Sequence, residues 1–322
     1  MNFINNFKLA YSRNLIDDHI KNQNLKKLYD YFINLKSIKK QLEPANYLIQ
    51  NYIEQNSLNN FFQNKIAWIN SFDLDDTKYI NQFIQFYFKK LNIQFSEPNP
   101  YHEELAKIGA NINLKNNSIL FNDLLTKSYL FQFLITLSHN NKINFINSNS
   151  AFFQYNNLYF THFHITSSYI YVIRNPVDIF YKYINIFDDH QTAARCFLGY
   201  DQYLDEHKNN SNMTIQENRQ GWHTNVNSWT DPNVQSTYRG LIVKYEKLCN
   251  DPPAVLADIV SHLSLSHKDL KLNYSYIDEF HKQNPIAKQK DTNSFNISNQ
   301  TKKFLMRELN KLDILEEFQY SI

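Results

Sequence analysis

Glycine and cysteine are both scarce in this sequence. Only four of its 322 residues are glycine, so a phosphate-binding loop assembled from several glycines is hard to build here. The two cysteines, Cys196 and Cys249, stand at no spacing typical of a metal site or a redox pair. We therefore predict that both are buried free thiols in a reducing compartment.

An excess of charge of one sign is also absent. The chain has 33 Lys and Arg residues against 31 Asp and Glu residues, which leaves a net charge of +2. This balance gives no reason to expect a nucleic acid as the partner. The sequence has no apolar run long enough for a membrane span, and its first residues lack the basic and apolar regions of a secretory signal. We expect a cytoplasmic protein without a membrane span.

Apolar residues are plentiful, since 43% of the chain is hydrophobic and 16% is aromatic, which is enough for a large core. Residues 1–60 have apolar positions at helical spacing, which predicts an N-terminal helical extension and a candidate surface for a protein partner. Residues 61–322 alternate strand-like and helical patterns, which is typical of an α/β domain with a parallel sheet between helices. The strand-like runs are Ile66–Phe72, Leu158–Phe163, Tyr169–Ile173 and Leu241–Tyr245.

The most informative stretch, Ser168–Tyr183, joins an apolar strand to a helix. The strand ends at Arg174, Asn175 can cap the following helix, and Pro176 suits the first helical turn. Arg174 therefore stands at the carboxyl end of a strand beside a helix N-terminus, where open α/β sheets bind anions. Its guanidinium could hold a phosphate with two hydrogen bonds, or it could pair with a neighbouring carboxylate. The local sequence leaves both interpretations open.

This stretch resembles a motif of the sulfotransferases that use the nucleotide donor PAPS, in which a strand ends in Arg-[Asn/Asp]-Pro-x-Asp. Further matches occur in the family's order, and together they cover roughly residues 65–290. They are Thr161-His162, Gly221-Trp222 with Asn225–Trp229, and Lys244–Leu248 with Asn250–Pro252. The resemblance implies a P-loop-like, sulfotransferase-like α/β domain over residues 61–322.

The resemblance also implies a reaction, in which PAPS gives its sulfuryl group to an acceptor hydroxyl or amine. His162 would be the catalytic base that takes the acceptor's proton. Arg174 and Lys182 would hold the 3′-phosphate of PAPS or of its product PAP. Thr77 and Tyr79 would complete the donor site, with the Tyr79 ring on adenine. The acceptor is not specified, because acceptor pockets are built from variable loops.

The sequence departs from the family where the donor's phosphates would lie. The family's Tyr-Pro-Lys-Ser-Gly-x-Thr-Trp loop aligns with Phe72–Tyr79, so that Leu74 replaces the lysine and Asp76 replaces the glycine. Catalysis of this kind depends on positioning and charge neutralisation, which Leu74 cannot supply. The aspartates would also repel phosphates. PAPS binding is therefore expected to be weak or lost, and the alternative function is a catalytically inactive, sulfotransferase-like binding module.

A minor alternative uses the aspartates of the same loop. Asp73, Asp75 and Thr77 fit the Asp-x-Asp-x-Thr motif of haloacid-dehalogenase-type phosphohydrolases. There Asp73 would be the nucleophile and both aspartates would bind Mg²⁺. The later acidic motif that this chemistry needs is missing from the sequence. A metal site at His162 and His164 is not expected either, because no third ligand stands at a suitable spacing.

Overall fold

A computed structural model describes much of the chain. The described residues are 65–100, 132–133, 135–136, 143–155, 158–184, 189–199, 220–286, 298–311 and 313–320. The helical extension over residues 1–60 lies outside them and stays a prediction. No helix in the described part of the chain is long and apolar enough to cross a membrane.

Seven strands occur within the described residues. They are β1 (Ile66–Ser71), β2 (Phe95–Pro100), β3 (Ile143–Ser148), β4 (Gln154–Tyr155), β5 (Leu158–Tyr159), β6 (Thr166–Ile173) and β7 (Gly240–Lys244). Five of them form one parallel sheet in the order β2-β3-β1-β6-β7, while β4 and β5 form a separate antiparallel pair. Helices flank the parallel sheet, so the predicted α/β class is confirmed.

Ten α-helices occur within the same residues. They are α1 (Lys78–Lys90), α2 (Pro176–Ile184), α3 (His190–Leu198), α4 (Trp222–Thr230), α5 (Pro232–Tyr238), α6 (Tyr245–Asn250), α7 (Pro252–Ser264), α8 (Tyr274–Gln283), α9 (Asn299–Leu309) and α10 (Ile314–Glu317). A 3₁₀ turn, Leu74–Thr77, joins β1 to α1.

Strands β1, β3 and β6 are buried at every residue. Because both faces of such strands are covered, their sequences are expected to be continuous apolar runs rather than alternating patterns. The apolar runs of β1 and β6 were long enough for both strands to be predicted to within a few residues. Strand β3 instead buries Asn144 and Asn147. These amides interrupt its apolar run, which is why no strand was predicted there.

The prediction of a strand over Leu158–Phe163 is wrong beyond its first two residues. Only the first two residues are extended there, and they pair antiparallel with β4. The chain then turns, since the backbone N–H groups of Ile165 and Thr166 donate to the His162 carbonyl at 3.1 and 3.0 Å. His162 therefore lies in a turn before β6 and not at the end of a strand of the parallel sheet.

Contacts within the chain define two compact units. The first comprises residues 1–67, 94–146 and 154–167, and its described part contains His162. The second comprises residues 68–93, 147–153 and 168–322. It contains the other four predicted site residues, Thr77, Tyr79, Arg174 and Lys182.

In the second unit, α4 is joined to β6 and to the chain after β3 by buried polar links. The Tyr171 hydroxyl donates to Asn225 Oδ1 at 2.8 Å, and Trp229 Nε1 donates to the Ser150 carbonyl at 2.8 Å. Trp222 and Trp229 are fully buried. Both tryptophans of this helix therefore serve packing.

Two glycines bring the end of α3 against the start of α4. Gly199 ends α3 with a left-handed φ of 80°, which favours glycine. A Cβ atom on Gly221 would lie 2.5 Å from the Leu198 carbonyl oxygen, and one on Gly199 would lie 3.0 Å from the Gly221 Cα atom. These glycines allow two backbones to touch.

Candidate functional site at the carboxyl ends of β6 and β7

The register of two parallel strands builds the centre of the site. Ile173 of β6 lies beside Lys244 of β7, so the residues that follow each strand also come together. The Arg174 guanidinium carbon lies 4.5 Å from the centroid of the Tyr245 ring. One residue further on, the Asn175 backbone N–H donates to Glu246 Oε1 at 2.8 Å.

Arg174 forms a buried ion pair with Asp76 of the 3₁₀ turn. Arg174 Nη1 donates to Asp76 Oδ1 at 2.8 Å, and the two side chains are only 5% and 1% exposed. Burial by itself lowers the pKa of Arg174, but the charge and the hydrogen bond of Asp76 outweigh it and raise that pKa. Of the two interpretations that the sequence left open, pairing with a carboxylate is the one observed.

The other two aspartates of the turn interact with residues two or three positions further along the chain. The Asp73 carboxylate caps the turn by accepting from the Asp75 backbone N–H at 3.0 Å. Asp75 pairs with Lys78 at 2.7 Å, with both side chains more than half exposed. Asp76 is thus the buried carboxylate of the loop. The described residues contain no cluster of three or more His, Cys, Asp or Glu that could hold a metal ion.

Thr77 and Tyr79 make contacts within the protein. The buried Thr77 hydroxyl donates to the Leu74 carbonyl at 2.8 Å, inside the turn. The Tyr79 hydroxyl lies 3.1 Å from His281 Nδ1, and its ring lies 5.2 Å from that of Phe280, both on α8. Burial raises the pKa of Tyr79 to about 12. The Tyr79 ring thus packs against α8 in this structure.

Lys182, the remaining residue assigned to the donor, lies on α2. This helix begins at Pro176, directly after the Arg174-Asn175 pair. The Asn175 side chain accepts a hydrogen bond from the Val177 backbone N–H at 2.9 Å, as the capping prediction requires.

His162, the predicted catalytic base, belongs to the first compact unit. Its side chain is buried, and Nδ1 accepts a hydrogen bond from the His164 backbone N–H at 3.2 Å. Burial, with a smaller contribution from the charge of His164, lowers the pKa of His162 to about 4. The imidazole is therefore neutral at pH 7, but its basicity is well below that of an efficient general base at this pH.

Sequence reasoning missed two residues of the site, Glu246 and Tyr320. Glu246 is largely buried, which raises its pKa, while the hydrogen bond from Asn175 partly offsets this. Its other oxygen, Oε2, accepts from the Tyr320 hydroxyl at 3.2 Å. The family match at Lys244–Leu248 could have drawn attention to Glu246, whereas no pattern in the sequence marks Tyr320.

Cys249 adjoins this site. The thiol interacts with the Tyr245 hydroxyl, and burial raises its pKa. Both cysteines are free, as predicted, but Cys249 is partly exposed while Cys196 is buried. The prediction of two buried thiols therefore holds for Cys196 alone.

Comparison with known proteins identifies the family. A model of the sulfotransferase domain matches residues 153–311, a segment that contains His162, Arg174 and Lys182. The loop with Thr77 and Tyr79 lies outside the matched segment. No curated protein matches the chain. Together with the five-stranded parallel sheet, the match over residues 153–311 supports an assignment to the sulfotransferase family.

Proposed function

We propose that this protein is a sulfotransferase-family binding module that does not use PAPS as a sulfuryl donor. The observation that carries the proposal is the buried ion pair between Arg174 and Asp76. The family resemblance assigns the 3′-phosphate to Arg174, yet a carboxylate of the donor loop already neutralises this guanidinium. The residues present therefore do not fit the phosphates of PAPS.

The energetic cost of displacing Asp76 supports this proposal. A phosphate that bound Arg174 would have to separate the guanidinium from Asp76 or sit close to the carboxylate. Breaking one side of a buried ion pair costs about 3–5 kcal/mol. Two like charges about 4 Å apart repel by about 4 kcal/mol at an effective dielectric constant of 20. Either cost exceeds the 1.4 kcal/mol or so that corresponds to a tenfold loss of affinity.

A second carboxylate acts in the same direction at the start of α2. Helix N-termini bind anions through backbone N–H groups that have no partner within the helix. Glu246 already accepts the hydrogen bond of the Asn175 N–H. A phosphate at this position would therefore compete with Glu246 for the Asn175 N–H, and with Asp76 for the Arg174 guanidinium.

The groups expected to promote transfer are also weakened. Sulfuryl transfer, like phosphoryl transfer, depends on cations placed around the migrating group. Leu74 stands at the position of the family's lysine. With its pKa lowered to about 4, His162 is a poor acceptor for the proton of a hydroxyl at pH 7.

A second candidate function is a PAPS-dependent sulfotransferase that acts on an acceptor hydroxyl or amine. It is favoured by the position of Arg174, which follows β6 and precedes α2 inside the matched sulfotransferase segment. This function requires that Asp76 leaves Arg174 when the donor binds.

Calorimetric titration with PAP in the presence of a chelator distinguishes the two functions. We expect weak binding to the unaltered chain and binding at least tenfold tighter to Asp76→Asn, which keeps the size of the side chain but removes its charge. Asp75→Asn is the matched control, because it removes the same charge from the exposed side of the turn. Submicromolar affinity of the unaltered chain for PAP would overturn the proposal and favour the enzyme.

A further inference from the structure

The last described residues of the chain fold back on themselves beside the candidate site. We call Asp313–Tyr320 the C-terminal strap. Within it, the Glu317 backbone N–H donates to the Asp313 carbonyl at 3.1 Å, and the Tyr320 backbone N–H donates to the Leu315 carbonyl at 2.9 Å. These bonds place Tyr320 at the end of a compact turn that follows α10.

The strap is attached to the end of β7 through one lysine. Lys244 Nζ donates to the Phe318 carbonyl at 2.6 Å. The same ammonium group lies 5.9 Å from the Phe318 ring centroid and 5.7 Å from that of Tyr320, within the range of cation–π attraction. Lys244 directly precedes Tyr245, the residue whose ring lies against Arg174.

A second attachment runs through Glu246 to the start of α2. One carboxylate oxygen accepts from the Asn175 backbone N–H, and the other accepts from the Tyr320 hydroxyl. Each of the two carboxylate oxygens of Glu246 thus accepts one of these hydrogen bonds. Burial and the charge of Glu246 raise the pKa of Tyr320, with smaller contributions from Tyr171 and Asp76. The Tyr320 hydroxyl therefore remains a hydrogen-bond donor at neutral pH.

The strap contributes little to the apolar core. Of its side chains that the structure describes, Leu315 alone is buried, whereas Glu316, Glu317 and Gln319 are exposed. A segment with few buried apolar contacts opens at a lower free energy than a core helix or strand. The strap can therefore leave while the sheet stays folded.

On this basis we propose that the C-terminal strap is an autoinhibitory element that locks Glu246 onto the start of α2 and so excludes anions from Asn175. The inference rests on the proposed function, since it concerns the regulation of the same site. When the Tyr320 hydroxyl bond is lost, Glu246 Oε2 loses this donor and the carboxylate can turn towards water. The Asn175 N–H is then accessible to an anionic group of a ligand.

The test uses full-length variants and PAP as the probe. In the Asp76→Asn background, in which Arg174 has lost its hydrogen-bonded counter-charge, Tyr320→Phe should tighten PAP binding at least tenfold. In the unaltered background the same change should alter PAP binding less than twofold, because Asp76 still holds Arg174. Tyr274→Phe is the matched control, since it removes a tyrosine hydroxyl that is 64% exposed. Lys244→Met removes the other attachment and should act in the same direction as Tyr320→Phe.

Amide hydrogen exchange gives a readout that does not depend on a ligand. Tyr320→Phe should speed exchange at Asn175 at least tenfold, whereas Tyr274→Phe should leave it unchanged. If Asp76→Asn tightens PAP binding but neither Tyr320→Phe nor Lys244→Met adds to it, the strap proposal is overturned and the proposed function stands. If the unaltered chain binds PAP at submicromolar concentration, the proposed function fails, while the exchange result still decides for or against the strap.

Discussion

Arg174 and Asp76 are 98 positions apart in the sequence, and they form a buried hydrogen-bonded ion pair of 2.8 Å. The family resemblance predicts that Arg174 contacts a phosphate of the donor. It also predicts that the loop containing Asp76 surrounds the donor. Two residues that align with the family's donor site are thus paired with each other in this protein. The ion pair lies at the place where the family resemblance predicts a ligand.

The first prediction is a strong coupling between these two residues. Asp76→Ala leaves a buried guanidinium without its counter-charge and should lower the free energy of unfolding by about 3–5 kcal/mol. Replacing both residues, as Asp76→Leu with Arg174→Met, should be less harmful than the sum of the single changes. Denaturant unfolding of the single and double variants measures the coupling.

The exposed pair of Asp75 and Lys78 provides the control for this cycle. Because both side chains are well solvated, its coupling should stay at or below about 1 kcal/mol. Additive effects at Arg174 and Asp76 would contradict the role given to the buried pair.

The second prediction concerns the link between α4 and β6. Asn225→Ala removes the acceptor of the buried Tyr171 hydroxyl and also the donor to the half-buried Asn149 carbonyl. Loss of the acceptor for the Tyr171 hydroxyl should lower the free energy of unfolding by about 1–3 kcal/mol. Thermal unfolding of Asn225→Ala and of the exposed control Asn227→Ala, on the same helix, checks this. An equal effect of the two changes would show that the buried link contributes nothing.

The third prediction concerns the cap of α7. The Asp251 carboxylate accepts a hydrogen bond from the Ala254 backbone N–H, and Pro252 occupies the first turn. Asp251→Ala should therefore cost about 1 kcal/mol of stability. Asp258→Ala, in the middle of the same helix and in an exposed pair with Lys247 at 3.4 Å, should cost less. Denaturant unfolding of the two variants gives the comparison.

The fourth prediction is a loss of stability in mild acid. Burial lowers the pKa of His267 to about 4, and its Nε2 atom has no hydrogen-bond partner among the described residues. An unfolded histidine has a pKa of about 6.5, so the unfolded chain binds this proton first as the pH falls. The free energy of unfolding should therefore fall between about pH 6.5 and pH 4, by up to about 3 kcal/mol from this residue.

Unfolding of His267→Gln over the same pH range checks the assignment. Glutamine does not titrate, so the variant should lose less stability on acidification than the unaltered chain. Identical pH profiles for the two proteins would exclude His267 as a source of the acid sensitivity.

The sequence was sufficient to predict the position of Arg174 but not its partner. An apolar run followed by Asn-Pro marks a strand end and a helix start, and both are local features. The choice of Asp76 over its neighbours depends on which aspartate of the turn points into the protein, and the 3₁₀ turn determines this. No local pattern distinguishes Asp76 from Asp73 or Asp75.

The sequence analysis missed strand β3, and it predicted a strand around His162 where the chain turns. Buried amides made β3 look too polar for a strand, although it lies inside the sheet between β2 and β1. The apolar run around His162 looked like a strand but forms a hairpin and a turn, in which Tyr159 and Phe163 are exposed. Hydropathy therefore reported neither the burial of β3 nor the backbone pairing of the run around His162.

The contact between Gly199 and Gly221 has a consequence for tolerance to insertions. The chain leaves α3 and returns to α4 at nearly the same point, since a Cβ atom on Gly199 would lie 3.0 Å from the Gly221 Cα atom. The length of the intervening segment, residues 200–219, is therefore not fixed by any gap that it must bridge. For a flexible chain whose ends meet, doubling the length costs only about 0.6 kcal/mol. A reporter peptide inserted between the two glycines therefore need not displace α3 or α4 while both glycines are kept.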